Sequence, residues 1–409
     1  MLKFCAIALR NVFRNTRRTG FNVLVITFGA VALLVAGGFI QGNFEGLRER
    51  TIRNGLGHLQ VFTNAYLDGD EERPLQHGVT DAPALEAWLQ AQPHVKLTAG
   101  QVDFVGLVSN GDRSEPFVGA GVQPEREAAM GFALNLQAGE PLFEADGEDQ
   151  ALLGTGLAAT MKARVGDVLT ILGTTSDGAL NAVDVRVVGL YSTGIKEFDA
   201  RALKVPLRTA QRLLGSERVT KVIVKLDATR HTDEVAAALR AAGAGSAPGV
   251  LGVRTWRELA TFYTQVVGLY STIFVFLGVI IVVLVVLSSA NTMMMSVLER
   301  VAEIGTLLAI GARRWQVLVI FVLEGLLIGC LGGLVGLAAG YGAIAALNAA
   351  HITLPPPPSF STGVPLLVKF VPGMFAAVFG LLVSILSLAA LLPAARGARL
   401  SIVEALGHV

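Results

Sequence analysis

Residues 291–325 read NTMMMSVLERVAEIGTLLAIGARRWQVLVIFVLEG, and here charge, amphipathic pattern and membrane-spanning hydrophobicity meet without a break. Met294, Val297, Leu298, Val301, Ile304 and Leu308 recur at helical spacing on one face, while Ser296, Glu299, Arg300 and Glu303 fall opposite. This spacing predicts an amphipathic helix. Gly311 supplies a stop, and Arg313 and Arg314 open the next segment. Long uncharged runs flank the stretch on both sides, so the helix is expected at a membrane surface.

Of 409 residues, 52% are hydrophobic and 16% charged, against about 25% charged in an ordinary soluble domain. A membrane protein is the expectation. The net charge of +1 hides an asymmetry: residues 45–258 hold 22 basic and 28 acidic side chains, and the remainder holds 11 basic and 4 acidic. That distribution points to a translocated soluble domain and a basic cytoplasmic rim rather than to nucleic-acid binding. Both cysteines, Cys5 and Cys330, lie outside residues 45–258, so the soluble part contains no disulfide and stands on its own core.

Residues 1–18 mix Lys3, Arg10, Arg14, Arg17 and Arg18 with Phe4, Ile7, Leu9, Val12 and Phe13, as in a basic helix lying on the inner leaflet. Residues 19–44 carry no charge and are long enough to cross a hydrocarbon layer of ~30 Å. They exceed the apolar core of a signal peptide, so they read as a retained first span. Over 45–258, strands are expected at 58–63, 101–108, 115–122, 168–172, 183–191 and 219–226. Helices are expected at 83–90 behind Thr80 or Asp81, at 157–163, at 207–214 ending on Gly215, and from Thr232 or Asp233 to 242.

A second uncharged run fills 259–298 and predicts a second span over 259–290 with an outer extension. The amphipathic helix and its loop occupy 291–314, and a third span with the single charge Glu324 occupies 315–348. A short proline-rich outer loop takes 349–369, a fourth span ending at Pro393 takes 370–392, and a tail takes 393–409. Ten of the eleven basic residues outside 45–258 fall on the side of the N-terminus, Lys369 being the exception, which puts both termini inside. The expected fold is thus an α-helical membrane protein of four transmembrane helices, with a large α+β extracytoplasmic domain between the first and second.

No G-x-x-x-x-G-K-[ST], G-x-S-x-G or H-E-x-x-H occurs, so neither ATP binding by a P-loop nor hydrolytic or zinc-peptidase catalysis is expected of this chain. Histidines at 58, 77, 94, 231, 351 and 408 show no paired spacing, and no metal site is expected from them.

The run V-L-E-R-V-A-E-I-G at 297–305, A-I-G-A-R-R at 309–314, then Glu324-Gly325 and Gly329, Gly332, Gly333 and Gly336 resemble the FtsX-like permease domain of the MacB and LolC/LolE class of ABC transporters. Residues 392–399, L-P-A-A-R-G-A-R, followed by I-V-E-A-L at 402–406, are similar to the closing pattern of that family, with Ser401 where proline is usual. In the soluble part, Gly166-Asp167, V-V-G-L-Y-S-T-G at 187–194, Asp199 and G-A-G-V-Q-P at 119–124 resemble the extracytoplasmic domain of LolC/LolE permeases. LolC-type permeases carry a long proline-containing hairpin that recruits a periplasmic lipoprotein chaperone. Residues 173–181 make only a short connection without proline, so direct capture of that chaperone is not expected.

The resemblance implies a non-ATPase permease subunit in a bacterial inner membrane, its large domain periplasmic. It also implies a second permease protomer, identical or homologous, and two ATPase subunits that bind ATP and magnesium. Glu299, Arg300, Val301, Glu303, Ile304, Gly305, Leu308 and Gly311 then belong to a coupling helix that docks on the ATPase; by pattern alone the charges are an ordinary solvated face. Phe39, Phe44, Phe262, Tyr263 and Val267, at the outer ends of the first two spans, read either as interface anchors or, by resemblance, as the lining of a lipid cavity. Glu324 has no basic partner on another span, so a packing or conformational role through Asn22, Ser288 or Ser289 is expected rather than a proton relay. The implied function is release of lipoprotein or lipid by mechanotransmission. An efflux or peptide-export permease and a mechanical regulator of a periplasmic hydrolase stand as alternatives.

Overall fold

A computed structural model describes residues 2–67, 75–132, 135–144, 148–243, 251–355 and 364–398. The closing motif beyond residue 398 and the prolines at 356–358 lie outside the described residues. The chain divides into a helical unit, residues 1–45, 266–353 and 365–409, and a sheet unit, residues 46–265 with 354–364.

Among the described residues, seven helices build the membrane-type part: α1 (Leu2–Arg14), α2 (Thr16–Thr51), α3 (Thr261–Glu299), α4 (Val301–Ala309), α5 (Arg314–Ala349), α6 (Pro372–Ala389) and α7 (Leu391–Ala398). Four of the described stretches, α2, α3, α5 and α6 running on into α7, are long and apolar enough to cross a membrane. Two boundaries differ from the sequence reading. The amphipathic segment is not one helix from residue 291: α3 continues unbroken to Glu299, because nothing around residue 290 stops it, and the break falls at Arg300, whose φ of −113° and ψ of 18° are non-helical. Nor does the last span end at Pro393. The helix breaks after Ala389 and restarts as α7, with Pro393 in its first turn, where a missing N–H leaves no bond unmade.

Helix α5 is the packing hub, through two stripes of glycine repeating every four residues. Gly332, Gly336 and Gly340 meet Ile26, Ala30 and Leu34 of the parallel helix α2, while Gly325, Gly329 and Gly333 meet Ala390, Leu386 and Phe379 on the antiparallel side. A Cβ on Gly332 would stand 2.8 Å from Ile26 Cβ, and one on Gly333 2.8 Å from Phe379 Cδ2. Lipid tails are as apolar as leucine, so helix association rests on this close approach and its dispersion contacts. Helix α3 differs. Its buried residues, Val285, Ser289, Met293, Ser296 and Val297, lie near its C-terminal end, and Leu269, Val275, Phe276 and Leu284 are exposed.

Among the described residues of the sheet unit, ten strands of one sheet run in sequence as β1 (Leu59–Thr63), β2 (Val95–Ser109), β3 (Ser114–Val122), β4 (Asn135–Gly139), β5 (Gln150–Gly154), β6 (Val168–Thr174), β7 (Leu180–Ser192), β8 (Ala202–Pro206), β9 (Lys221–Leu226) and β10 (Leu251–Thr255). Their order is β10-β1-β9-β2-β3-β8-β5-β7-β4, and β6 pairs with both β2 and β7. The first half of β2 pairs with β9 and its second half with β3 and β6, so β2, β3, β8, β5, β7 and β6 close on themselves. Leu59, Leu85, Leu89, Leu153, Met161 and Ile171 are fully buried in the shared core, each contributing roughly 1.5–3 kcal/mol of burial. Asp81 rather than Thr80 caps the helix Ala82–Gln90, accepting from the Ala84 N–H at 3.0 Å. The helix Leu207–Leu214 ends on Gly215 at φ 62°.

Candidate functional site

The residues flagged around positions 299–311 are gripped from both sides. Helix α1 brings Arg14 within 2.7 Å of Glu303, and Arg18 at the start of α2 bonds Glu299. Phe4 of α1 meets Trp315 of α5 edge-on, with ring centroids 6.4 Å apart. On the inward side Val301, Ile304 and Gly305 are buried. Ile304 packs with Val297, Val317, Phe321 and Ala394, and Leu308 lies half-buried against that cluster. Glu303, Thr306, Leu307 and Ile310 stay exposed, Ile310 at 80%, and Gly311 turns the chain at φ 101°. The helix therefore has an apolar flank locked into the bundle and an outer flank ending in an exposed isoleucine.

Arg300 is not part of the outer face. Its side chain turns inward, where Nη1 comes 3.5 Å from Glu324 Oε2 and Nη2 donates to the Asn11 carbonyl at 3.4 Å. Glu324 thus has a basic partner that the sequence reading did not consider, supplied by the helix break and not by another span. The expected hydrogen bond from Ser289 is not formed: its Oγ is buried without a partner, as is the acceptor oxygen Asn22 Oδ1. Asn11, Asn15, Arg18, Asn22, Ser296, Arg300 and Glu324 surround a polar cavity of about 20 Å³. A charge pair desolvated in this way is strongly destabilised by loss of either partner.

Between α2 and α5 runs an open groove of about 680 Å³, lined by Phe28, Val35, Phe39, Ala343, Leu347 and neighbouring alanines and valines. Of the five cavity candidates, only Phe39 lines it. Phe44 and Val267 are half-buried elsewhere and Phe262 is exposed. Tyr263 belongs to the sheet unit, packed edge-on against Trp256 at 5.0 Å beside Ile52. Sequence reasoning missed the α5 wall; Ala343, Ala346, Leu347 and Ala350 recur on one helical face.

The sheet-unit motifs serve construction. Asp199 is buried and accepts from Ser192 Oγ at 2.6 Å, from Thr193 N at 2.7 Å and from Thr193 Oγ1 at 2.7 Å. Gly156 lies against it, where a Cβ would meet Ala200 Cα at 2.8 Å. Residues 175–179 form a tight turn between β6 and β7, with Thr175 N donating to Ala179 O at 2.8 Å.

Among the described residues, four helices are long and apolar enough to cross a membrane, and the sheet unit lies in sequence between the first two. The comparisons agree: residues 19–242 match the MacB-like periplasmic core domain and residues 274–402 the FtsX-like permease C-terminal domain. The lipoprotein-releasing system transmembrane protein LolC of Xylella fastidiosa (strain Temecula1) is 26% identical over 98% of this chain and 98% of its own. The LolE protein of Haemophilus influenzae is 25% identical over 80% of this chain and 77% of its own. The solved periplasmic region of MacB from Actinobacillus actinomycetemcomitans, 14% identical, covers 51% of this chain and 93% of its own with a TM-score of 0.35. The chain belongs to the MacB-like periplasmic core domain family and is an ABC transporter permease of the LolC/LolE/MacB group.

Proposed function

We propose that this permease lifts acylated cargo, a lipoprotein or lipid, from the outer leaflet of a bacterial inner membrane, powered by a separate ATPase. The observation that carries this reading is the wholly apolar groove between α2 and α5. An acyl chain laid there gains ~0.8 kcal/mol per buried CH₂, whereas a polar cargo finds no hydrogen-bonding side chain. The lipoprotein-releasing relatives support the same assignment.

In this reading both termini and α4 face the cytoplasm and the sheet unit stands in the periplasm, as the split of basic residues favours. A second permease chain packs along the exposed apolar length of α3, and two ATPase subunits bind ATP and magnesium. The outer flank of α4 receives the ATPase stroke, and its buried flank with Arg300 carries the motion to Glu324 and α5. The tight turn at 175–179 supports release without a chaperone hook.

Mass spectrometry of molecules retained by the intact, gently solubilised complex tests the reading. Acylated species are expected, and their loss in Phe39→Asp. Retention of unacylated peptides or water-soluble compounds in their place would contradict it.

A further inference from the structure

Within the sheet unit, three side chains distant in sequence converge. His94 precedes β2, Asp227 follows β9, and His231 closes the single turn Thr229–His231. The pairing of Val95 with Leu226 brings the two chain segments together, and Asp227 N donates to the His94 carbonyl at 3.1 Å. His94 Nδ1 lies 2.9 Å from one Asp227 carboxylate oxygen and His231 Nδ1 2.8 Å from the other, with the ring centroids 3.9 Å apart. One donor atom from each residue falls within 4.8 Å of the others. Histidine spacing alone gave no metal site; strand pairing supplies the proximity that spacing lacks.

We infer that His94, Asp227 and His231 bind a divalent transition-metal ion, zinc foremost. Two imidazoles and one carboxylate suit zinc and its neighbours, whereas magnesium and calcium take oxygen shells. Both rings turn the same nitrogen, Nδ1, toward one carboxylate. An ion entering there takes the place of the two N–H donors, and each ring carries its proton on Nε2 instead. For His231 that nitrogen now accepts from Arg230 Nε at 3.1 Å, so the exposed Arg230 side chain swings away when the ion binds. The three ligands are partly exposed, which gives the ion a route in and leaves further coordination positions to water. His94 holds φ at 66°, a left-handed conformation that asparagine also tolerates.

The test uses tag-free, chelator-stripped full-length protein in detergent, titrated with ZnCl₂ against MgCl₂, with bound metal measured by equilibrium dialysis and unfolding followed by tryptophan fluorescence. One zinc per chain is expected, raising the unfolding temperature of the sheet unit, with no response to magnesium. His94→Asn and His231→Gln each weaken binding at least about tenfold, and Arg230→Gln strengthens it. Zinc binding of unchanged affinity in both histidine variants, or no uptake by the wild-type chain, overturns the inference. Because the wild-type response is read directly, a variant that folds poorly does not decide the outcome.

Discussion

Arg300 Nη1 stands 3.5 Å from Glu324 Oε2, and each side chain is only 8% exposed, so the break between α3 and α4 is tied electrostatically to the body of α5. Removing one partner strands the other charge in a desolvated site, at a cost of about 3–5 kcal/mol. Glu324→Ala should lose stability on that scale, and the Arg300→Met/Glu324→Leu double variant should recover most of it. A double-mutant cycle of unfolding in detergent reads the coupling. Additive losses would show that the pair is not an interacting unit.

The two flanks of α4 should respond differently. Glu303 and Arg14 form an exposed pair whose attraction water and salt largely screen, so Glu303→Lys should fold and insert normally while uncoupling transport from ATP hydrolysis. Ile310→Asp, at the exposed tip, should weaken ATPase association by ~2 kcal/mol, about thirtyfold. Pull-down of the ATPase with turnover assays checks both. Unchanged association and turnover in both variants would leave α4 a merely solvated segment.

Glycine position, not glycine content, should govern bundle stability. Gly336→Leu drives a side chain into Ala30 and should cost about 1–3 kcal/mol, whereas Gly342, with nothing within 4 Å of an added Cβ, should accept alanine within about 0.5 kcal/mol. Thermal unfolding in matched detergent compares them; equal effects would contradict the stripe.

What the sequence made legible was what period and composition encode. The four apolar stretches, the Gly215 cap and six of the strands followed from pattern, because each depends on local spacing. Strands β4, β5, β8 and β10, each of five residues, were missed. Arg300 was placed on the outer face because helical spacing assumes an unbroken helix, whereas the chain breaks at Arg300 and its side chain meets Glu324, 24 positions away. The groove wall and the His94–Asp227–His231 cluster were invisible for the same reason: each is assembled by long-range packing.

His58 predicts a pH dependence of the sheet unit. Its ring is buried, with Nδ1 accepting from Leu226 N at 3.3 Å and Nε2 at 3.2 Å from Thr229 Oγ1, and burial pushes its pKa below the ordinary 6.5. The unfolded chain therefore takes up a proton that the native site resists. Stability from this group is complete above about pH 6.5 and is lost as the pH falls through the depressed native value. Denaturant unfolding between pH 7.5 and 5 should show this loss, reduced in His58→Gln. An identical slope in wild type and variant would assign the dependence elsewhere.

The central claim, ATP-driven extraction of acylated cargo through the α2–α5 groove, is tested most directly in proteoliposomes holding this permease with the ATPase that co-purifies with it. An acylated lipoprotein and the same polypeptide without its acyl chains are compared for ATP-dependent release and for stimulation of ATP hydrolysis. The account predicts release and stimulation with the acylated form alone, both abolished by Phe39→Asp. Equal stimulation by the unacylated polypeptide, or full release by Phe39→Asp, would contradict it.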